Sequence, residues 1–110
     1  MTLSKYQHLA ESTLADKLRD DNAARIYHAT YGLFAEAGEV AGVLQKYERG
    51  DYNYRAAMQK IRAELGDVLW YLSETCSAHG WDLNDIAAEN VDKLQARAER
   101  GTIKGSDRDE

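Results

Sequence analysis

Proline is absent from this sequence, cysteine occurs once, and no apolar run is long. Without proline, only a few glycines interrupt the helical pattern, so we expect an all-α fold of long helices joined by short connections. The lone Cys76 cannot form an intrachain disulfide. A membrane-spanning helix needs roughly 18–20 apolar residues, and an export signal needs a basic segment before an apolar stretch. Because the sequence offers neither, we expect a cytoplasmic protein with no membrane partner.

Basic residues are in the minority. The chain has 14 lysines and arginines against 19 aspartates and glutamates, and its formal net charge is −5. Such an excess of negative charge repels the phosphate backbone of DNA and RNA. We therefore exclude nucleic-acid polymers as partners.

Apolar residues recur at the helical interval in four segments of the chain. We predict a first helix from Thr2 or Ser4 to Arg19, a second from Ala23 to Glu48, a third capped by Asn53 and ending at His79, and a fourth from Asp82 to Arg100. Either Asp21 or Asn22 can cap the second helix. Residues 1–101 would then form one domain, and the polar residues 102–110 a tail.

The second and third helices are long for a chain of this size. About 25 residues make a helix of roughly 37 Å, whereas a compact domain of this length has a diameter of roughly 34 Å. The apolar surface left at the helix ends would need a second copy to cover it. We expect a four-helix bundle completed by homo-oligomerisation, as a homodimer or a dimer of dimers.

Two acidic pairs lie beside apolar positions, Glu36 with Glu39 in the second helix and Glu64 with Asp67 in the third. Residues three apart share one helix face, so two such helices packed together would converge four carboxylates. Four acids in a low-dielectric site need a cation or raised pKa values. All-oxygen ligands suit Mg²⁺, Mn²⁺ or Ca²⁺. The sequence therefore predicts a divalent-cation site.

Four glycines lie within the same two helices: Gly32, Gly38, Gly42 and Gly66. A glycine inside a helix costs about 1 kcal/mol relative to alanine. We interpret these glycines as points where a helix or a ligand approaches the backbone closely.

The acidic motifs and their surroundings resemble the all-α nucleoside triphosphate pyrophosphohydrolases typified by MazG. The resemblance rests on the Glu-x-x-Glu motif of Glu36–Glu39, followed after 24 residues by the Glu-x-x-Asp motif of Glu64–Asp67, and on the segment Asn90–Leu94. The ending Arg100–Ser106 is similar to that of small, single-domain, phage-type members. The family implies a MazG-type four-helix fold.

The resemblance also implies an activity. It is the Mg²⁺-dependent hydrolysis of a nucleoside triphosphate, in the first place a deoxynucleoside triphosphate, between its α and β phosphates to give the monophosphate and pyrophosphate. Glu36, Glu39, Glu64 and Asp67 would hold Mg²⁺, for which Mn²⁺ is a possible substitute. Either Glu36 or Glu39 would be the catalytic base that activates water.

By the same resemblance, the substrate phosphates contact Tyr71, Asn90 and Lys93. Arg97 lies one helical turn after Lys93, and it either extends this phosphate patch or pairs with an acid. Three aromatic residues either stack on the base or belong to the core: Tyr31, Phe34 and Trp70.

Two other classes of protein carry clustered acids on helices. A di-iron carboxylate bundle uses two Glu-x-x-His elements, and the sequence contains none. A non-catalytic helical dimerisation or interaction module explains the long helices and the acidic surface equally well, but not the acids placed beside core residues. This module is the alternative to the enzyme.

Overall fold

The computed structural model describes residues 1–101, and the regular structure of this part of the chain is entirely helical. The helices are α1 (Leu3–Glu11), α2 (Asp16–Arg19), α3 (Asn22–Glu48), α4 (Tyr54–His79) and α5 (Leu83–Arg100). The prediction of an all-α fold is confirmed, whereas the predicted tail, residues 102–110, lies outside the described residues. No helix between residues 1 and 101 is long and apolar enough to cross a membrane.

Helices α3 and α4 make the largest interhelical contact of the fold. A short connection joins them, which is typical of antiparallel neighbours. The Asp21 side chain caps α3 by accepting from the Ala24 N–H at 3.0 Å, and Asn53 caps α4 by accepting from the Ala56 N–H at 2.8 Å. Helix α4 ends at Gly80, whose φ of +77° is a left-handed conformation that glycine adopts without strain. Local capping therefore fixes both ends of this hairpin.

The prediction of one continuous first helix ending at Arg19 is wrong. Residues 12–15 are not helical and separate α1 from the single turn of α2. The hydroxyls of Ser12 and Thr13 donate to carbonyls three residues earlier in the chain, at 2.6 and 2.7 Å. Such side-chain bonds compete with the helical backbone pattern, and the apolar period alone does not reveal them.

A largely buried ion pair connects three helices. Arg25 of α3 donates from Nε and Nη2 to both carboxylate oxygens of Glu74 on α4, at 2.6 and 2.8 Å, and its Nη2 also lies 2.7 Å from Glu11 on α1. The Arg25 side chain is 12% exposed and that of Glu74 is 2% exposed. Hydrogen bonding to Glu74 is the main reason why the pKa of Arg25 is raised. The pair is charged and fixes the position of α1 on the hairpin.

Helix α1 also holds the turn between α4 and α5. The Gln7 amide donates to the Trp81 carbonyl at 2.8 Å and to the Ser77 hydroxyl at 2.9 Å, and its oxygen accepts from the Leu83 N–H at 2.8 Å. One side chain thereby satisfies backbone groups that a helix end leaves unpaired. These bonds fix where α5 begins.

The buried core is small and consists mostly of alanines. Its apolar members are Ala10, Leu14, Ala29, Ala57, Cys76, Ala78 and Leu83. Much of the apolar face predicted for α3 instead faces outward, because only part of it contacts α4. Tyr27, Tyr31 and Phe34 are 60%, 68% and 76% exposed, so neither Tyr31 nor Phe34 belongs to the core of the single chain. Homo-oligomerisation remains a prediction, and this exposed surface is the face on which we expect a second copy to pack.

Candidate cation and phosphate site

Three of the four predicted acids meet between the middles of α3 and α4. Glu36 of α3 and Glu64 and Asp67 of α4 each offer a carboxylate oxygen, and these oxygens all lie within 4.8 Å of one another. The spacing of three in Glu64–Asp67 places both residues on the face of α4 that meets α3. We call Glu36, Glu64 and Asp67 the carboxylate cluster.

The carboxylates of the cluster lie close enough to repel one another. Hydrogen bonding to Glu64, partial burial and the negative charges of Glu64, Asp67 and Glu39 raise the pKa of Glu36 from 4.5 to about 7. The Oε2 atom of Glu64 is buried and finds no hydrogen-bond partner in the described part of the chain. Mg²⁺ and Mn²⁺ prefer hard oxygen ligands, and closely spaced carboxylates with one unpartnered oxygen provide such ligands. The residues present therefore fit a divalent cation.

Glu39 lies beside the carboxylate cluster rather than within it. It lines an open cavity of about 450 Å³ between α3 and α4, and Glu64 lines the same cavity. Glu64 thus connects the cluster with this cavity. The expected convergence of four acids is found as a group of three with the fourth acid alongside.

Tyr71 adjoins the carboxylate cluster on another side. It lines a shallow cavity of about 370 Å³ together with Glu36, Asp67 and Trp70. The indole N–H of Trp70 donates to the Thr13 hydroxyl at 2.9 Å. The connection between α1 and α2 therefore holds Trp70 at the rim of the site, in a half-buried position rather than in the core.

The other predicted phosphate contacts lie on α5. Asn90 and Lys93 are exposed and line a separate cavity of about 340 Å³ with Ile86 and Glu89. Arg97 is half-buried one turn further along α5. These three residues line neither the 450 Å³ nor the 370 Å³ cavity described above, so their role as phosphate contacts stays a prediction.

Sequence reasoning missed three residues of the site. Lys46, Tyr52 and Lys60 line the same 450 Å³ cavity as Glu39 and Glu64. Helical spacing could have indicated the two lysines, because Lys60 precedes Glu64 by one turn and Lys46 follows Glu39 by two. No periodic signal marks Tyr52, which lies in the connection between α3 and α4.

The four helical glycines differ in what they do. At Gly32, an added Cβ would overlap with the ring of Tyr71, so the close approach expected there is confirmed. At Gly38, Gly42 and Gly66, an added Cβ would meet nothing within 4 Å. Gly38 and Gly42 line the 450 Å³ cavity, where they leave the surface of α3 without side chains. Close packing within the single chain therefore does not require glycine at these three positions.

The fold and the site define an all-α protein with a cluster of carboxylates between two long helices. The family model of the MazG nucleotide pyrophosphohydrolase domain matches residues 28–102. The chain belongs to this family, and the predicted resemblance is confirmed. The chain is 34% identical over 88 residues to the "Gene 37 protein" of Mycobacterium phage L5. The matched segment covers 78% of this chain and 77% of that protein. This relative agrees with the resemblance to phage-type members, and no solved structure matches the chain.

Proposed function

We propose that this protein hydrolyses a nucleoside triphosphate, in the first place a deoxynucleoside triphosphate, between its α and β phosphates. The observation that carries the proposal is the carboxylate cluster with its buried, unpartnered Glu64 oxygen, in a chain of the MazG nucleotide pyrophosphohydrolase family. A cytoplasmic location is part of the proposal, because the substrate nucleotides are found there.

Glu36, Glu64 and Asp67 would hold Mg²⁺, or Mn²⁺ in its place, with Glu39 next to them. When bound, such an ion polarises phosphate oxygens and lowers the pKa of a bound water. The protein's own contribution is to fix the carboxylates in position, which two long packed helices do well. The raised pKa of Glu36 supports this assignment, because it comes from the hydrogen bond with Glu64 and from the nearby carboxylates, whose repulsion a cation would relieve.

The reaction consumes one water. A bond forms between the water oxygen and either the α or the β phosphorus, and the bond from that phosphorus to the α–β bridging oxygen breaks. The bridging oxygen keeps the electron pair and leaves as part of pyrophosphate in the first case and as part of the monophosphate in the second. Glu36 or Glu39 accepts a proton from the attacking water and later releases it to solvent. Tyr71, Asn90, Lys93 and Arg97 are the proposed phosphate contacts, with Tyr71 adjoining the carboxylate cluster in the single chain.

The test is pyrophosphate release from a panel of canonical and modified ribo- and deoxyribonucleoside triphosphates, in Mg²⁺, in Mn²⁺ and in EDTA. We expect metal-dependent release of pyrophosphate together with the matching monophosphate. Glu64→Gln should lose several kcal/mol of transition-state stabilisation, a fall of about 100-fold or more in kcat/KM. Glu48→Gln is the matched control, because it removes an exposed carboxylate from α3 away from the carboxylate cluster.

Two results would contradict the proposal. Full activity of Glu64→Gln would remove the site assignment. A folded wild-type protein that turns over no nucleotide in any metal would favour the helical interaction module instead.

A further inference from the structure

The open cavity next to the carboxylate cluster carries positive as well as negative charge. Glu39 and Glu64 line it, and so do Lys46 and Lys60. The ammonium group of Lys46 lies 6.0 Å from the centroid of the Tyr52 ring, and that of Lys60 lies 5.0 Å from it. Two like charges are thus gathered around one aromatic ring, in the range of cation–π attraction.

Neither lysine is neutralised by an acid. Across residues 1–101, no carboxylate lies within 4.0 Å of the Lys46 or Lys60 ammonium group. Both side chains are exposed and keep their hydrogen-bond donors available. This differs from Arg25 and Arg49, whose guanidinium groups are paired with carboxylates. The two lysines therefore offer an anion site that no group of the described chain fills.

The spacing places the lysines within two helical turns of the two acids that line the cavity, Glu39 and Glu64. Lys60 precedes Glu64 by four residues, a rise of about 6 Å along α4, and Lys46 follows Glu39 by seven residues, a rise of about 10 Å along α3. Gly38 and Gly42 of α3 also line the cavity and contribute no side chain to it. The cavity therefore has carboxylates towards the middle of the two helices and ammonium groups towards the connection between them.

We propose that Lys46 and Lys60 bind the terminal phosphates of the substrate, the part that leaves as pyrophosphate. The inference rests on the proposed function and adds a subsite to it. A triphosphate with its bound cation presents a positive charge to the carboxylates and negative oxygens to the lysines, which matches the charge order of this cavity. Ammonium groups bind phosphate as compact point charges and have no acceptor to offer. Tyr52 is a positioning residue that holds both ammonium groups.

The experiment measures binding of inorganic pyrophosphate in Mg²⁺ buffer by calorimetry, and binding of the four deoxynucleoside monophosphates for comparison. Lys46→Gln with Lys60→Gln should weaken pyrophosphate binding by roughly tenfold or more, because each lysine contributes a charge-assisted hydrogen bond. Monophosphate binding should be unchanged. Lys46→Arg with Lys60→Arg should retain most of the pyrophosphate affinity.

Lys5→Gln with Lys17→Gln is the matched control, because it removes two exposed lysines that do not line the cavity. Circular dichroism checks that every variant is folded. Tyr52→Leu should weaken pyrophosphate binding, whereas Tyr52→Phe keeps the ring and should not. A purely structural role of Tyr52 would not separate pyrophosphate from monophosphate binding.

The possible results separate this inference from the proposed function. If the wild type hydrolyses nucleotides and the Lys46→Gln, Lys60→Gln variant binds pyrophosphate as the wild type does, the subsite is wrong and the activity stands. Weakened monophosphate binding with unchanged pyrophosphate binding would place the nucleoside in the cavity and would likewise overturn the subsite. Lysine-dependent pyrophosphate binding without any hydrolysis would uphold the anion site and contradict the activity. A wild type that does neither overturns both.

Discussion

Gly32 on α3 lies directly against the ring of Tyr71 on α4. A Cβ added at position 32 would overlap with this ring, whose Cζ atom would be 2.6 Å away. The absence of a side chain lets the ring approach the backbone of α3. Tyr71 thereby lies beside Glu36 and Asp67, in the shallow cavity at the carboxylate cluster. Glycine at position 32 lowers the helix propensity of α3, but it leaves the space that the ring of Tyr71, a proposed phosphate contact, occupies.

Gly32→Ala should displace the Tyr71 ring. An added Cβ would lie under 3.0 Å from three atoms of the ring, so we expect a cost in the upper part of the about 1–3 kcal/mol range of overpacking, above the roughly 1 kcal/mol that alanine gains over glycine in a helix. We expect a lower melting temperature and a lower kcat/KM. Thermal unfolding and steady-state kinetics measure the two effects.

Gly66→Ala is the control for that experiment. Gly66 is also inside a helix, but an added Cβ there meets nothing within 4 Å. It should raise the melting temperature, because only the propensity term changes. If Gly32→Ala and Gly66→Ala changed the melting temperature equally, the contact of position 32 with Tyr71 would not affect stability.

Capping residues and the apolar period predicted the three long helices closely. Asp21, Asn53 and Asp82 cap α3, α4 and α5 through side-chain bonds to N–H groups two or three residues later. The first helix could not be predicted in the same way, because the hydroxyls of Ser12 and Thr13 interrupt it without disturbing the apolar pattern. Local signals specify helix ends well where a single side chain decides them.

The sequence predicted how the site residues are spaced within each helix, but not how the two helices bring them together. The spacing in Glu64–Asp67 is local, so the sequence contains it, and packing with α3 brings Glu36 to the same point. The contact of Gly32 with Tyr71 depends on the position of α4 along the axis of α3, and no local pattern determines that position. The approach of Tyr52 to Lys46 and Lys60 depends in addition on the path of the connection between the helices.

Metal-free protein should become less stable as the pH rises from 4.5 to about 7. The pKa of Glu36 is about 7 in the folded chain against an ordinary value of 4.5. Between these values the folded state binds a proton that the unfolded state has lost, so the free energy of unfolding falls with rising pH. Mg²⁺ should oppose the fall, because it binds the carboxylates once they are charged. Thermal melts across this range, with EDTA and with Mg²⁺, test both statements.

Glu36→Gln isolates the contribution of this group from those of the other acids. It cannot take up the proton, so its stability should depend less on pH in this window than that of the wild type. Glu48→Gln leaves the carboxylate cluster intact and should keep the wild-type slope. If Glu36→Gln has the same slope as the wild type, Glu36 is not the group that titrates.

The ion pair of Arg25 with Glu74 gives a prediction about stability. Arg25→Met leaves the Glu74 carboxylate, which is only 2% exposed, without its bidentate partner. An unpaired buried charge costs about 3–5 kcal/mol. The double variant Arg25→Met, Glu74→Met removes both charges and should recover most of that loss. Urea unfolding of the single and double variants measures the coupling between them.

The exposed pair of Arg49 and Asp51 is the comparison. Its atoms are as close, at 2.6 Å, but the side chains are 61% and 45% exposed. Asp51→Ala should therefore change the free energy of unfolding by less than about 1 kcal/mol. If Arg25→Met lowered the free energy of unfolding by no more than Asp51→Ala does, burial would not explain the contribution of the Arg25–Glu74 pair to stability.

The outward face of α3 leads to a prediction about assembly. Tyr27, Tyr31 and Phe34 follow one another at helical spacing, and all are more than half exposed. The radius of gyration of the chain is 16.8 Å, against about 13 Å for a compact domain of this length. A second copy packed on this face would remove aromatic surface from water and give a compact particle.

We therefore expect a light-scattering mass of two or more chains. Phe34→Glu places a charge in the middle of the aromatic face and should lower the mass to that of one chain, because burying an unpaired charge at an interface is unfavourable. Asn84→Glu adds the same charge at an exposed position on α5 and should leave the assembly intact. A wild-type mass equal to one chain would remove the prediction, and dissociation of both variants would mean that added charge, rather than the face of α3, controls assembly.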